Sequence, residues 1–165
     1  MDYTIRPIRL EDMESFTELR RMPGVFETTL ALPSERIQRN MDRFHALGPN
    51  DHYFVAVLED GTVIGAVLLQ VNASPRMRHT GSLALFVHTN YQAQGVGAAL
   101  LGTILDLADN WLMLVRLELT VFADNERAIH LYEKLGFEKE GLKRMSTVRN
   151  GQYADEYMMA RLRKT

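Results

Sequence analysis

The sequence predicts a single α/β domain, residues 1–165, with a mixed sheet of about seven strands and four helices. Three observations predict this fold class. A chain of 165 residues is long enough for one substantial core and needs no second domain. Segments that alternate apolar and polar residues are interspersed with segments whose apolar residues recur at helical spacing. Between positions 80 and 122 a strand, a helix and another strand follow one another, which implies a crossover between parallel strands.

The first half of the chain is predicted to form three strands and two helices. Pro23-Gly24 ends the first helix, and Ser34 is the predicted N-cap of the second. The segment Glu59-Asp60-Gly61 is typical of a hairpin turn between two strands. The predicted elements are β1 (Tyr3–Arg9), α1 (Leu10–Met22), α2 (from Ser34 through Phe44), β2 (Tyr53–Leu58) and β3 (Val63–Val71).

The second half adds four strands and two helices. Apolar residues recur at helical spacing from Val96 to Trp111, which predicts that this whole face of the third helix packs on the sheet. The segment Arg149-Asn150-Gly151 is typical of a tight hairpin turn. These elements are β4 (Thr80–Val87), α3 (Val96–Trp111), β5 (Arg116–Phe122), α4 (Asn125–Leu135), β6 (Phe137–Val148) and β7 (Gln152–Leu162), in the order β1-α1-α2-β2-β3-β4-α3-β5-α4-β6-β7.

Composition excludes several classes of function. The chain has no cysteine, which rules out disulfides, zinc thiolate sites and a thiol nucleophile. Its formal net charge is -2 and its basic residues are scattered, so we expect no nucleic-acid partner and no anionic membrane partner. The nine methionines are interpreted as core filling, and no metal is expected. The start MDYTIRPIRL lacks the apolar core of a signal peptide, so we expect a cytoplasmic location.

A glycine-containing turn, QAQGVG, joins β4 to α3. A helix N-terminus carries unpaired N–H groups and a partial positive charge, and glycine lets the backbone approach a ligand closely. Gly95 and Gly97 therefore suit a pyrophosphate. Residues after Gly97 do not complete GxxxxGK[ST], and Leu100 replaces the third glycine of GxGxxG. From this turn alone, an anion site and a plain strand-to-helix turn remain equally open.

Two motifs in a fixed order resemble a known family. QxxGxG falls on Gln92, Gly95 and Gly97 and follows LFV at Leu85–Val87, while NxxAxxLYxxxGF spans Asn125–Phe137. Together they resemble the GNAT superfamily of acetyl-CoA-dependent N-acetyltransferases, and the resemblance covers nearly the whole chain. The segments PGVFETTLALP, DNWLMLVRLELTVFADN and RNGQYADEYMMARL are most similar to the bacterial branch that includes L-amino acid N-acetyltransferases.

The resemblance implies acetyl-CoA as co-substrate. In the family, β4 and β5 separate and the pantetheine arm lies between them, bonded to the main chain of β4. Asn125 has two compatible interpretations, as the N-cap of α4 or as a ligand to this arm. The residues implied to bind acetyl-CoA are Leu85, Phe86, Val87, Gln92, Gln94, Gly95, Val96, Gly97, Ala98 and Asn125.

The resemblance also implies the catalytic groups. Tyr132 is the predicted general acid, because a phenol with a pKa of about 10 can protonate the leaving thiolate at neutral pH. Its competing interpretation is core packing. Relatives that acetylate ribosomal protein N-termini carry a glutamate base where this chain has Thr120. Glu118, two residues earlier on the same strand face, is therefore the candidate base through a water, with a solvent-facing glutamate as the equal alternative.

The acceptor is expected to be a small primary amine, namely an L-amino acid or close analogue. A weak base disfavours lysine and polyamine acceptors, whose amines are almost wholly protonated at neutral pH. Phe26, His79 and Asp155 are the predicted acceptor-side residues, with Asp155 holding the ammonium group.

An arginine is expected to bind the carboxylate of an amino-acid acceptor. Arg76, Arg78 and Arg149 are the candidates for this cation, against the interpretation that each is a solvated surface charge. The alternatives for function are a peptide or protein N-terminal acetyltransferase, a polyamine acetyltransferase, and a non-catalytic acyl-CoA-binding module. A homodimer also remains open.

Overall fold

The computed structural model describes residues 1–163, which form a seven-stranded mixed sheet with four α-helices. The spatial strand order is β1-β2-β3-β4-β5-β7-β6. The strands are β1 (Tyr3–Pro7), β2 (Asp51–Leu58), β3 (Val63–Val71), β4 (Thr80–Val87), β5 (Arg116–Phe122), β6 (Glu138–Arg149) and β7 (Gln152–Leu162). The helices are α1 (Met13–Arg20), α2 (Ile37–His45), α3 (Val96–Asp106) and α4 (Glu126–Lys134), with short 3₁₀ helices at Leu10–Asp12, Phe26–Thr28, Pro75–Met77 and Thr89–Tyr91. The predicted fold class and element order are confirmed.

The helices cover both faces of the sheet and enclose two apolar clusters. The larger cluster lies under α3 and α4 and includes Leu100, Ile104 and Tyr132. The smaller cluster lies under α1 and α2 and includes Phe16 and Phe86. The two clusters hold the sheet between two helical layers, so a ligand can reach the middle of the sheet only where two strands separate.

The strands β4 and β5 separate after a short paired segment. They are parallel, and their pairing runs only from Thr80 opposite Arg116 to Ser82 opposite Glu118. Beyond this point β4 continues to Val87 and β5 to Phe122 without pairing to each other. This opening, the β4–β5 gap, is the separation that the family resemblance implies.

Pairing on the far edge of β4 determines which backbone groups face the gap. The His88 amide donates to the Ile64 carbonyl at 2.8 Å, so even-numbered residues of β4 bond to β3. Backbone bonding directions alternate along an antiparallel strand. The N–H groups of Leu85 and Val87 therefore point toward β5, where no strand is within pairing distance.

The helices α1, α2 and α3 differ from their predicted bounds by two residues or more, and α4 differs by one residue at each end. The third helix becomes a π-helix at Leu107–Trp111, and Trp111 is 76% exposed instead of packing on the sheet. A π turn adds a residue per turn and rotates the following side chains away from the original face. The second helix begins at Ile37 with Arg36 as N-cap, so Ser34 does not cap it. The first helix begins with a 3₁₀ turn and ends at Arg20, two residues before the predicted end.

No helix within residues 1–163 is both long and apolar enough to cross a membrane.

Candidate active site

One large cavity runs through the β4–β5 gap and opens on both sides of the sheet. Its volume is about 1260 Å³. Pockets that hold a single small ligand typically measure about 300–1000 Å³, so this cavity has room for two ligands at once. We call its side near Gly95, Gly97 and Ala98 the turn pocket and its side near α1 and α2 the helix pocket.

The turn pocket brings together most of the residues predicted to bind acetyl-CoA. Leu85, Phe86, Val87, Gln92, Gly95, Gly97, Ala98 and Asn125 all line the cavity. Gly95 has φ +88°, a left-handed conformation that glycine adopts without strain. A Cβ added at Gly97 would lie 3.5 Å from Val87 and 3.6 Å from Leu131, at the mouth of the gap. These are ordinary van der Waals distances, so a Cβ would fit there and a longer side chain would extend into the entrance.

Gln92 links the end of β4 to α4. Its Nε2 donates to the Val87 carbonyl at 3.0 Å, and its Oε1 accepts from Arg127 at 2.7 Å. With its carbonyl bonded in this way, Val87 presents only its N–H group to the gap. Asn125 caps α4, because its side-chain oxygen accepts from the Ala128 amide at 3.3 Å.

Tyr132 lies in α4 and lines the cavity, although only 6% of its surface is exposed. Its ring packs against Phe137 with the ring centres 5.8 Å apart. Burial raises the pKa of Tyr132 to about 12, because the phenolate is poorly solvated there. The phenol is therefore protonated at any physiological pH and able to donate a proton.

The helix pocket has an aromatic floor. The Phe16 ring lies 5.6 Å from Tyr53 and 5.8 Å from Phe86. Arg20 stacks 5.6 Å from the Phe86 ring centre and donates to both oxygens of the buried Glu35, at 2.6 and 3.1 Å. Burial raises the pKa of Tyr53 to about 12. Because these aromatic surfaces are apolar and close together, the helix pocket suits a ligand with an apolar side chain.

Four charged residues also line the cavity near the helix pocket or the end of the gap: Arg39, Arg43, Asp51 and Glu156. Glu156 lies in β7 opposite Phe122, and its Oε1 accepts from Ser146 Oγ at 2.9 Å and from Thr147 Oγ1 at 2.6 Å. Both hydroxyls bond the same oxygen, which leaves Oε2 available to a ligand. Two donors also fix the orientation of this carboxylate.

Some residues predicted from the sequence do not line the cavity with their side chains. Val96 is buried in the core, and the Gln94 amide donates to the Asn90 carbonyl at 2.9 Å. Phe26 lies outside the lining, although its neighbours Thr28 and Thr29 are part of it. His79 is exposed and lies at the opposite end of β4, where its carbonyl accepts from the Val115 amide.

The two acidic candidates are also placed elsewhere. Glu118 bonds to Arg116 at 3.1 Å, outside the cavity lining, with 48% of its side chain exposed. The Asp155 carboxylate accepts from the Met145 amide at 2.7 Å and stabilises the irregular part of the β6–β7 hairpin. Both carboxylates therefore lie outside the cavity lining, and their predicted roles stay predictions.

The predicted carboxylate-binding arginines also lie outside the cavity lining. Arg149 pairs with Asp124 and stacks 4.8 Å from the Phe122 ring centre. Arg76 and Arg78 lie in an exposed segment before β4. Sequence reasoning did not identify Arg43 or Glu156. The sequence does contain a pattern that points to Glu156. It follows Asp155 in the same strand, and successive side chains of a strand face opposite sides.

The chain matches known acetyltransferases along almost its whole length. Residues 13–137 match the acetyltransferase (GNAT) family. The chain is 35% identical over 162 residues to the L-amino acid N-acetyltransferase AaaT of Escherichia coli (strain K12), covering 98% of this chain and 99% of that protein. It is 28% identical over 158 residues to the spermidine N(1)-acetyltransferase of the same organism, covering 94% and 83%. The solved structure of a GNAT superfamily phosphinothricin acetyltransferase from Sinorhizobium meliloti in complex with acetyl-CoA superposes with a TM-score of 0.84 at 23% identity, covering 98% and 89%.

The fold and the open β4–β5 gap define an acyl-CoA-dependent transferase. The chain belongs to the GNAT acetyltransferase family and is an N-acetyltransferase. Structures of this family contain coenzyme A or acetyl-CoA. Within residues 1–163, no group of three or more His, Cys, Asp or Glu side chains is arranged to hold a metal ion.

Proposed function

We propose that the protein transfers the acetyl group of acetyl-CoA directly to the primary amine of an L-amino acid or close analogue. The observation that carries this proposal is the continuity of the cavity, which joins the turn pocket to the helix pocket through the gap. Both substrates can therefore be bound together, and the absence of cysteine from the chain excludes a route through a thiol-linked acyl-enzyme.

The turn pocket suits the coenzyme. The N-terminus of α3 offers unpaired N–H groups to the diphosphate, and Gly97 has no side chain to obstruct the entrance to the gap. The N–H groups of Leu85 and Val87 face the space in which the pantetheine arm and the thioester would lie. A fixed N–H donor directed at a developing oxyanion contributes about 3 kcal/mol in other acyl-transfer enzymes.

Two side chains suit the proton transfers. The amine nitrogen attacks the thioester carbonyl carbon, the new C–N bond forms and the C–S bond breaks, which leaves coenzyme A as a thiolate. Tyr132 donates its proton to this sulfur and recovers one from solvent. Glu156 accepts, directly or through one water, the proton that the ammonium group of the acceptor must lose before its nitrogen can attack. The second nitrogen proton, lost after the C–N bond forms, passes to solvent. We assign this role to Glu156 in place of Glu118, because Glu156 lines the cavity and Glu118 does not.

The acceptor assignment has two supports. The full-length relative named above is an L-amino acid N-acetyltransferase, and the aromatic floor formed by Phe16, Tyr53 and Phe86 suits an amino-acid side chain. A polyamine is disfavoured because Arg39 and Arg43 line the same pocket and would repel a second ammonium group.

The test is a panel assay that follows the release of free coenzyme A. The purified protein is mixed with acetyl-CoA and with single L-amino acids, N-terminal peptides or spermidine, and mass spectrometry identifies the acetylated product. We expect turnover with amino acids that exceeds turnover with spermidine. Tight binding of acetyl-CoA without release above the amine-free background would instead identify a non-catalytic acyl-CoA-binding module.

A further inference from the structure

Helix α2 presents two arginines to the helix pocket. Arg39 and Arg43 lie one helical turn apart and both line the cavity. Like charges at this spacing destabilise a helix by about 0.2–0.5 kcal/mol. Within residues 1–163, the exposed Arg43 guanidinium makes no hydrogen bond or ion pair, and Glu35 attracts it only at longer range.

The Glu35 carboxylate, which attracts Arg43, is already bonded to another arginine. Glu35 accepts two hydrogen bonds from Arg20, at 2.6 and 3.1 Å, and its Oε2 also accepts from Asn40 at 3.2 Å. Arg39 reaches Glu35 only at 3.7 Å. Three guanidinium groups thus surround one carboxylate, which leaves an excess of positive charge in the pocket. Partial burial, together with Arg39 and Arg20, lowers the pKa of Arg43.

The other acidic groups near α2 are also bonded elsewhere. Asp42 accepts from Gln38 at 2.8 Å on the exposed face of α2. Asp51 lines the cavity, but its carboxylate accepts from the Gly48 amide at 2.9 Å and from Gln70 at 3.3 Å. The positive charge of Arg43 is therefore not paired with a carboxylate, although Asp51 lines the same cavity.

We propose that Arg43 binds the carboxylate of the acceptor, with Arg39 adding charge beside it. Arginine binds a carboxylate through two parallel N–H donors, which fixes the orientation of the ligand as well as its position. Bound in this way, the acceptor extends its side chain over the aromatic floor and its amine toward the gap. This inference rests on the proposed function and adds the residue that selects amino acids over simple amines.

The test compares two acceptors that differ only in the carboxylate, L-leucine and 3-methylbutylamine. In Arg43→Gln we expect kcat/KM for L-leucine to fall about 10- to 100-fold, mainly through KM, because a hydrogen bond to a charged group is lost. The kcat/KM for 3-methylbutylamine and the KM for acetyl-CoA should stay within about twofold of wild type. Arg43→Lys should restore part of the preference for L-leucine, because it keeps the charge but not the paired donors.

The control is Arg76→Gln, an equivalent change in an exposed segment outside the cavity lining. Its ratio of L-leucine to 3-methylbutylamine activity should equal that of wild type. If Arg43→Gln lowers kcat/KM for both acceptors by the same factor, so that their ratio stays at the wild-type value, Arg43 does not bind the acceptor carboxylate. If wild type acetylates no amine at all, the proposed function itself fails, and the two failures are thereby distinguished.

Discussion

The side-chain amide of Gln92 donates to the main-chain carbonyl of Val87 at 3.0 Å. This bond fixes the C-terminal end of β4, well beyond Ser82, the last residue of the strand that pairs with β5. Gln92 also accepts from Arg127 in α4 at 2.7 Å, so one side chain connects the end of β4 to α4, and both elements line the cavity. The position of the Val87 N–H group depends on this connection.

Replacing Gln92 should therefore disturb the gap without unfolding the protein. In Gln92→Leu we expect kcat/KM for acetyl-CoA to fall about 5- to 20-fold, which corresponds to the loss of one or two hydrogen bonds. Steady-state kinetics at saturating amine measures this. Gln94→Leu is the matched control, because the Gln94 amide bonds only to the Asn90 carbonyl outside the gap. Equal losses in the two variants would contradict the role of Gln92.

Gly97 should control entry of the coenzyme. In wild type, acetyl-CoA at about 100 times its Kd stabilises the fold by about 2.7 kcal/mol, which raises Tm by about 5–10 °C. In Gly97→Leu the added side chain fills the mouth of the gap, so we expect this shift to disappear. Gly102→Leu is the control, because a side chain there meets open space on α3. A full Tm shift in Gly97→Leu, measured by thermal unfolding, would show that the coenzyme binds elsewhere.

Tyr132→Phe should lower kcat about 10²-fold or more, because general acid catalysis contributes about 10²- to 10⁴-fold. The Kd for acetyl-CoA should change little, because the ring and its packing on Phe137 remain. Tyr157→Phe is the control, since Tyr157 lies in β7 outside the cavity lining. Full turnover in Tyr132→Phe would remove this residue from the mechanism.

The raised pKa of Tyr132 adds a pH prediction. A phenol of pKa about 12 keeps its proton throughout the usual assay range, so its ionisation should not reduce activity between about pH 8 and 10. Activity should instead rise with pH and level off as the amine loses its proton. A wild-type decline in kcat within this range that is absent from Tyr132→Phe would contradict the assignment.

Glu156→Gln should lower kcat/KM for the amine about 10²-fold near neutral pH, because no carboxylate then accepts the ammonium proton. Part of the activity should return at higher pH, where more of the amine is already neutral. Glu118→Gln is the matched control and should stay within about twofold of wild type, because its carboxylate bonds to Arg116 outside the cavity lining. A large loss of kcat/KM in Glu118→Gln with little loss in Glu156→Gln would identify Glu118 as the base instead.

Local patterns determined most of the fold. The strands β3, β4, β5 and β7 have the predicted bounds, because alternating side chains and turn residues act over a few neighbouring positions. Trp111 shows where such reasoning fails. Its spacing is helical, but the π-helix at Leu107–Trp111 shifts the phase of the helix and turns the side chain toward solvent.

The candidate site likewise has one part that local patterns predicted and one part that they did not. Most of the turn pocket follows from one continuous segment around Gly95 and Gly97, so motifs identified it. The charged part of the helix pocket does not, since Arg43 and Glu156 come from α2 and β7, which are far apart in the sequence. Asp155 and Glu156 illustrate the limit: neighbouring positions in one strand face opposite sides, and only the sheet determines which side is the cavity.

The sequence by itself determined the order of strands and helices, the glycine turn and the family to which the chain belongs. The tertiary structure alone decided that β4 and β5 stop pairing after Ser82 and Glu118, and that an unpaired arginine and an oriented glutamate line the cavity. The physical reason is the distance along the chain over which each effect acts. Backbone propensities and turn chemistry act between near neighbours, whereas a cavity and its charges arise where distant segments pack together.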